Sequence, residues 1–260
     1  MGELSNIRVG RITSSEIVAL TKNGRVKTEP GAPFYTYVKE CRMERFFKQS
    51  LENKVEVLAM SWGKLCENIV HELLGLDYEY HSDVTFVHPK HPEWVGSPDG
   101  SKSKEVLKKK VIDTVTETKC PLTRKAFYNL VSELYDFDGV EVKKKAKIDG
   151  NDVIQKIREA SPEGEKYYQQ IVSNACIMGA KYGELIVFMP YFEQLELIHE
   201  YNNSLDESYW FVARAKDGEL PFIYKESGIE NINIIRFEIP LSDKQFLEER
   251  VKLAINLINE

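Results

Sequence analysis

Leu185-Ile186-Val187-Phe188-Met189 is an unbroken apolar run, and a run of this length reads as a buried strand. The segment before it opens at Ser161-Pro162, an N-cap with proline at the first helical position, and reads as a helix to about Tyr182 ended by Gly183. A helix that delivers the chain into a fully buried strand requires apolar layers around a sheet. The rest of the chain supplies them. Leu58, Trp62, Leu65, Ile69 and Leu73 repeat at helical spacing, which predicts a helix over about Val55–Leu74, ended by Gly75. Val111–Lys119 is rich in β-branched residues, and shorter strand-like segments lie near Val84–Val87 and Trp94–Ser97. The expected class is α/β, a central mixed sheet flanked by helices.

The remaining elements are read from local signals. Thr13-Ser14-Ser15-Glu16 has the form of a capping box and predicts a short helix through Leu20. Further helices are expected at about Tyr37–Lys48, after a loop past Pro33, and at Arg124–Leu134, capped by Thr123. A final helix is expected to be capped at Ser242, with Gln245 three residues on. Strands are predicted near Tyr209–Ala213 and Ile232–Ile239, and Asp136–Ala160 carries no clear pattern.

Apolar residues make up 42% and charged residues 29% of the 260, ordinary globular usage with material for a sizeable core. We expect one domain over 1–260. No apolar run reaches the roughly 20 residues needed to cross a bilayer, and Met1-Gly2-Glu3-Leu4-Ser5 does not open a signal peptide. A soluble, cytoplasmic protein of a bacterial or phage-infected cell is expected. Cys41, Cys66, Cys120 and Cys176 form no CxxC pair, so a zinc ribbon is disfavoured and free, partly buried thiols inside helices or strands are the expectation. The net charge of −6 excludes a uniformly basic coat, although lysines crowd 102–110 and 143–147. Such runs either neutralise phosphates or are solvated surface.

Ser97-Pro98-Asp99-Gly100 follows a strand, and Glu117-Thr118-Lys119 ends another. Side chains at i and i+2 of a strand share a face, so Glu117 and Lys119 project together while Thr118 points away. If the two strands pair, Asp99 joins them. Two carboxylates and one ammonium make an oxygen-rich site for a hard cation, with a lysine to act on a nearby water. Alone, Asp99 is a turn residue, and Glu117 and Lys119 are the polar face of a strand. On the long helix Glu67 lies opposite the apolar stripe, with Gly63 and His71 one turn to either side. It is either a solvated residue or part of the site, and His71 is a candidate ligand for a softer ion such as Mn²⁺.

These segments, in this order, resemble the PD-(D/E)xK nucleases, and among them the phage lambda exonuclease and YqaJ-type viral recombinases. Arg8-Val-Gly-Arg-Ile-Thr-Ser-Ser-Glu16 is similar to an R-x-G-x-I-T-x-S-E stretch, Trp62-Gly-Lys-Leu-Cys-Glu-Asn68 to a helical WGxxxEN, and Tyr167-Tyr-Gln-Gln170 to Y-x-x-Q. Ser97–Gly100 and Glu117–Pro121 resemble the metal-site segments, and Leu122–Phe127 follows them. The resemblance covers about residues 8–190. It implies a restriction-endonuclease-like core in which Asp99, Glu117 and the Thr118 carbonyl hold Mg²⁺, with Mn²⁺ as a substitute. Lys119 assists the water, and Glu67 and Gln170 complete the centre. It further implies that Arg8 and Ser15 bind a 5′-terminal phosphate and that Arg124 and Lys125 contact the DNA backbone. The implied activity is 5′ to 3′ digestion of linear double-stranded DNA, leaving a 3′ single strand for recombination by annealing. The implied assembly is a homotrimer working with a single-strand annealing protein. Val172 stands where a second glutamine is often found. The competing readings are a catalytically silent DNA clamp or recombination partner, and a restriction-type or CRISPR-associated nuclease.

Overall fold

The computed structural model describes residues 7–51, 57–139, 141–216 and 218–260. The chain begins with β1 (Ile12–Thr13), α1 (Val18–Thr21), α2 (Ala32–Phe47) and α3 (Leu58–Leu74). Strands β2 (Glu79–Tyr80), β3 (Phe86–Val87), β4 (Trp94–Gly96), β5 (Gly100–Val106) and β6 (Lys109–Lys119) follow, then α4 (Arg124–Val131). A hairpin of β7 (Tyr135–Phe137) and β8 (Val142–Lys144) leads to α5 (Gly150–Ala160) and α6 (Pro162–Met178). The chain closes with β9 (Tyr182–Phe188), α7 (Leu195–Ser204), α8 (Trp210–Arg214), β10 (Ile232–Glu238) and α9 (Leu241–Asn259).

The main sheet has the order β10-β9-β6-β5-β2. β6 and β9 are parallel, from Thr114 opposite Tyr182 to Lys119 opposite Val187, and the other ladders of this sheet are antiparallel. A parallel pair needs a long crossover, and the helices between β6 and β9 provide it. β1, β4 and β3 form a smaller mixed sheet.

The apolar run in β9 works as its composition requires. Leu185 and Val187 enter a core with Ile171, Val172 and Ala175 of α6. Ile186 and Phe188 point to the opposite face, onto Trp62, Leu65 and Ile69 of α3. Each such side chain, once fully buried, stabilises by roughly 1.5–3 kcal/mol. A strand covered on both faces therefore reads as continuous apolar sequence. The architecture is the expected mixed sheet between helical layers.

Several local expectations are corrected. The capping box at Thr13–Glu16 does not form: Thr13 sits in β1, where its N–H donates to the Tyr37 hydroxyl at 2.9 Å. The Thr13 hydroxyl pairs with the same Tyr37 hydroxyl, and the Glu16 N–H goes to the Thr13 carbonyl, so a tertiary partner displaced the local cap. Pro33 lies in the first turn of α2 rather than in a loop, and the helix begins earlier than Tyr37. Val55, the expected start of α3, lies outside the described residues. Helix α6 ends at Gly179, whose φ of 73° closes it, and not at Tyr182 and Gly183. Gly183 instead lies within β9, where a Cβ would come within 2.4 Å of Ile171 Cγ2. Tyr209–Ala213 is helical, not a strand: the buried Asn202 side chain brackets Tyr209, accepting from its N–H and donating to its carbonyl. Helix α9 starts at Leu241 with Pro240 as its N-cap, and the Ser242 hydroxyl donates to Asp243 instead of capping. The unread stretch 136–160 is a hairpin and a helix capped by Asp149. Cys41, Cys66 and Cys176 lie in helices, Cys120 one residue past β6, and all four are free.

Candidate active site

Asp99 does not reach the site through the strand before it. β4 pairs in the small sheet; β5, which begins at Gly100, pairs with β6 and carries Asp99 against it. The Asp99 N–H donates to the Thr116 carbonyl at 3.2 Å, and its Oδ2 accepts from the Thr118 N–H at 2.6 Å. The tight approach explains Gly100, since a Cβ there would lie 2.9 Å from both the Glu79 carbonyl and Thr116 Oγ1. Gly100 lets the turn close onto the strand, and the turn aspartate is locked to β6.

Glu117 and Lys119 share a face of β6 and form an ion pair of 2.6 Å between Oε1 and Nζ. Glu117 is 1% exposed, and burial followed by the charge of Asp99 pushes its carboxyl up to about 8 against the pull of Lys119. Glu67, from α3, is drawn into the same group. Burial and then Asp99 push its carboxyl up to about 8, again opposed by Lys119. Burial also raises Asp99, with Lys119 and the Thr118 N–H opposing. Burial disfavours the Lys119 ammonium, yet Glu117 and Asp99 together outweigh that and hold it above the ordinary lysine range. Three crowded carboxyls facing one ammonium are short of positive charge.

One atom makes the shortage concrete. Glu117 Oε2 is buried without a hydrogen-bond partner, a costly state for a carboxylate oxygen. Among the described residues, no three His, Cys, Asp or Glu side chains form a complete metal cage. A Mg²⁺ ion keeps several waters and needs only one or two carboxylates, so Asp99, Glu117 and a backbone carbonyl such as that of Thr118 fit it.

His71 lies one turn beyond Glu67 on α3. Burial first, and then His81, lowers its imidazole to about 4. Its ring packs on Tyr80 at 3.9 Å between centroids, and both ring nitrogens are buried without partners. Beside Gly63 the space is open, with no atom within 4 Å of a Cβ position. Cys66 and Cys120, each adjacent in sequence to Glu67 or Lys119, touch each other, and burial followed by that contact holds the Cys120 thiol well above its usual range.

Helix α6 touches both Lys119 and the Arg8–Ser15 region, from different sides. Tyr167 places its ring under Lys119, 4.9 Å from Nζ; Gln170 is one turn on, and Ser173 one turn further. Ser173 Oγ lies 2.8 Å from both Ser14 Oγ and Trp94 Nε1. Ser14 adjoins Ser15, whose hydroxyl accepts from Arg8 Nη2 at 3.0 Å. The structure thus joins Arg8 to Ser15 and leans that pair on the helix that also faces Lys119. Tyr167 entered the sequence analysis only as the first residue of the Y-x-x-Q stretch, without a role, and the Ser14–Ser173–Trp94 cluster left no local signal.

Arg124 and Lys125 are exposed on the first turn of α4, with no acidic residue there. Two cations at the positive end of a helix oppose its dipole by about 0.3–1 kcal/mol each, a placement that suits an anionic ligand. The lysine runs behave differently. Lys102 pairs with Glu184, Lys104 with Asp113, Lys110 with Glu79, Lys143 with Glu141 and Lys144 with Glu230. Their charge is largely spent within the molecule.

The family model of the YqaJ-like viral recombinase domain matches residues 3–181. The chain belongs to this family. No curated protein matches it by sequence. Among solved structures, the YqaJ-like chain is similar to an alkaline exonuclease, LHK-Exo, from Laribacter hongkongensis, at 13% identity and a TM-score of 0.56, covering 100% of this chain and 93% of that one. LHK-Exo in complex with dAMP is similar at 14% identity and 0.54, with the same coverage. A phage related exonuclease from Haemophilus somnus 129PT is similar at 11% identity and 0.58, covering 96% of this chain and 93% of that one. At these identities the likeness establishes the fold, the PD-(D/E)xK fold of the lambda exonuclease type. Among the described residues no helix is long and apolar enough to cross a membrane.

Proposed function

We propose that this YqaJ-like protein is a Mg²⁺-dependent exonuclease that digests linear double-stranded DNA from 5′ to 3′, leaving 3′ single strand for recombination by annealing. The observation that carries the reading is the buried Glu117 with its unpartnered Oε2, packed among Asp99, Glu67 and Lys119. Membership of the family and the exonuclease fold relatives support it.

Asp99, Glu117 and the Thr118 carbonyl would hold the ion, which supplies positive charge to the phosphate and lowers the pKa of water. The protein's own groups do the rest. Lys119, kept as an ammonium by its two carboxylate neighbours, donates hydrogen bonds that orient the attacking water and meet charge growing on the phosphate. The Tyr167 ring beneath it restricts where the ammonium swings. Glu67, with a carboxyl near neutrality, exchanges a proton with the water or the leaving oxygen. Gln170 donates an amide N–H to a phosphate oxygen.

Arg8 and Ser15 give the site its direction. A guanidinium fork and a hydroxyl suit a terminal phosphate, which carries more charge than an internal one. Arg124 and Lys125 contact the DNA backbone. Mn²⁺ would replace Mg²⁺, and the cytoplasm is the compartment we assign. A homotrimer encircling DNA would bury apolar surface such as that of Phe46, which is 83% exposed on α2, and a single-strand annealing protein would receive the product.

The test is loss of linear duplex with Mg²⁺ and with EDTA, with and without a 5′-phosphate, beside a closed circle. The expected result is Mg²⁺-dependent loss of the linear form alone. Lys119→Ala should lower the rate by about 10²–10³-fold, the usual weight of one donor aimed at developing charge. Undiminished cleavage by that variant, or cleavage of the circle, would overturn the reading.

A further inference from the structure

Lys119 and Val187 are neighbours on the parallel strands β6 and β9. The chain therefore leaves both strands at the same end of the sheet, the end that carries the carboxyl cluster. After β9 it runs to Phe192, and the segment 222–224 is fastened alongside: Ile223 donates its N–H to the Pro190 carbonyl at 2.9 Å and accepts from the Phe192 N–H at 3.0 Å. Three rings result. Phe222 is buried, and Phe192 and Tyr224 pack on it edge to face, each with centroids 5.1 Å away. Phe192 and Tyr224 keep 37% and 55% of their surface open.

These exposed rings are not a random remnant of the core. A buried ring fixes their positions, which removes the conformational cost of ordering them on a ligand. The Arg124 guanidinium lies 5.5 Å from the Phe222 centroid, and Arg124 is five residues beyond Lys119. Lys225 reaches the Tyr191 ring, 5.6 Å from its centroid. Rigid aromatic faces rimmed by cations match one chemistry, a nucleic-acid strand whose bases are unpaired: bases stack on the rings and phosphates meet the cations. Paired bases within a duplex present no free face to stack. Glu193 and Glu226 stand on the same turns, so the cation that can meet phosphates clear of them is Arg124, on the turn that follows Lys119 in the chain.

We propose that Phe192 and Tyr224, seated on Phe222 and flanked by Arg124, form a stacking platform for unpaired DNA bases. The proposal rests on the nuclease reading for the source of that strand, the unpaired strand beside the digested end.

The test is equilibrium binding in Ca²⁺, which withholds turnover, of three probes by fluorescence anisotropy: blunt duplex, duplex with a 3′ single-stranded tail, and the same tail built of abasic sites. Wild type should prefer the normal to the abasic tail by about 5- to 150-fold. Tyr224→Leu, and Tyr224→Leu with Phe192→Leu, should remove most of this preference while leaving affinity for the blunt duplex unchanged. Tyr224→Phe should keep it, which separates loss of a ring from loss of the fold. Equal affinity of wild type for normal and abasic tails overturns the platform even where duplex is still degraded. A Tyr224→Leu protein that keeps its tail preference but changes oligomeric state overturns it too, making the rings a protein interface. Strong tail preference in a protein that degrades no DNA leaves the platform standing and removes the nuclease reading.

Discussion

Replacing Glu117 with Gln tests the charge shortage at the site without asking for activity. The Glu117 carboxyl stands at about 8 in the folded chain against 4.5 ordinarily, through burial first and Asp99 second. A carboxyl raised on folding favours its protonated form, so its contribution is fully present below about pH 4.5 and is lost as the pH rises towards about 8. Within that window the folded state holds one proton more than the unfolded state, and stability falls by about 1.4 kcal/mol for each pH unit. Glutamine carries no such proton. Between about pH 5.5 and about pH 7.5, Glu117→Gln should therefore gain on wild type, by at most about 3 kcal/mol, or up to roughly 6–12 °C in Tm at this chain length. The proton is shared with Glu67 and Asp99, so the quantity to compare is the slope of the difference. The assay is thermal unfolding of both proteins in EDTA across this range, repeated with Mg²⁺. Mg²⁺ should raise the wild-type Tm more at the higher pH, because it competes with that proton, and should act weakly on the variant. Parallel curves in EDTA, or equal Mg²⁺ shifts for the two proteins, would refute the reasoning.

Arg8→Ala should lose the preference for a 5′-phosphorylated end while still degrading duplex, read as the ratio of rates on phosphorylated and hydroxyl ends. An unchanged ratio removes Arg8 from the terminal-phosphate pocket. Arg236→Met takes one of three donors from Glu184, which is 1% exposed and also accepts from Tyr78 and Lys102. The loss should be about 1.5–3 kcal/mol in urea unfolding, the usual weight of a charged hydrogen bond. Gly183→Ala drives a methyl to 2.4 Å from Ile171 Cγ2 and 2.8 Å from Phe237 Cζ, and should cost about 1–3 kcal/mol through overpacking.

The site was legible where chemistry and spacing coincide locally. Glu117 and Lys119 share a face because a strand alternates, and no tertiary contact is needed to see it. Asp99 does join Glu117 and Lys119, but by another route than expected, since a sequence does not say that β5, and not β4, pairs with β6. Tyr209–Ala213 has strand-like composition but is helical because Asn202, seven residues earlier, holds Tyr209 at both backbone groups. Thr13–Glu16 has all the residues of a cap, yet the Tyr37 hydroxyl engages both the Thr13 N–H and the Thr13 side-chain oxygen that such a cap would have used. In each case a local preference of about 1 kcal/mol met a buried tertiary partner and yielded to it.

The lysine runs show the same limit in electrostatics. A run such as Lys102–Lys110 is visible as charge, but its partners Glu79, Asp113 and Glu184 are assembled by strand pairing. The sequence alone determined the α/β class, through the apolar period of α3 and the unbroken run in β9, because burial on one or two faces writes itself directly into residue order. It also determined which carboxylates and which lysine could meet. Only the tertiary structure decided that Glu67 crowds them from another helix, that Glu117 Oε2 is left without a partner, and that Phe192 and Tyr224 lie together at the end of the sheet. Desolvation and convergence are properties of the packed chain, and no local pattern encodes them.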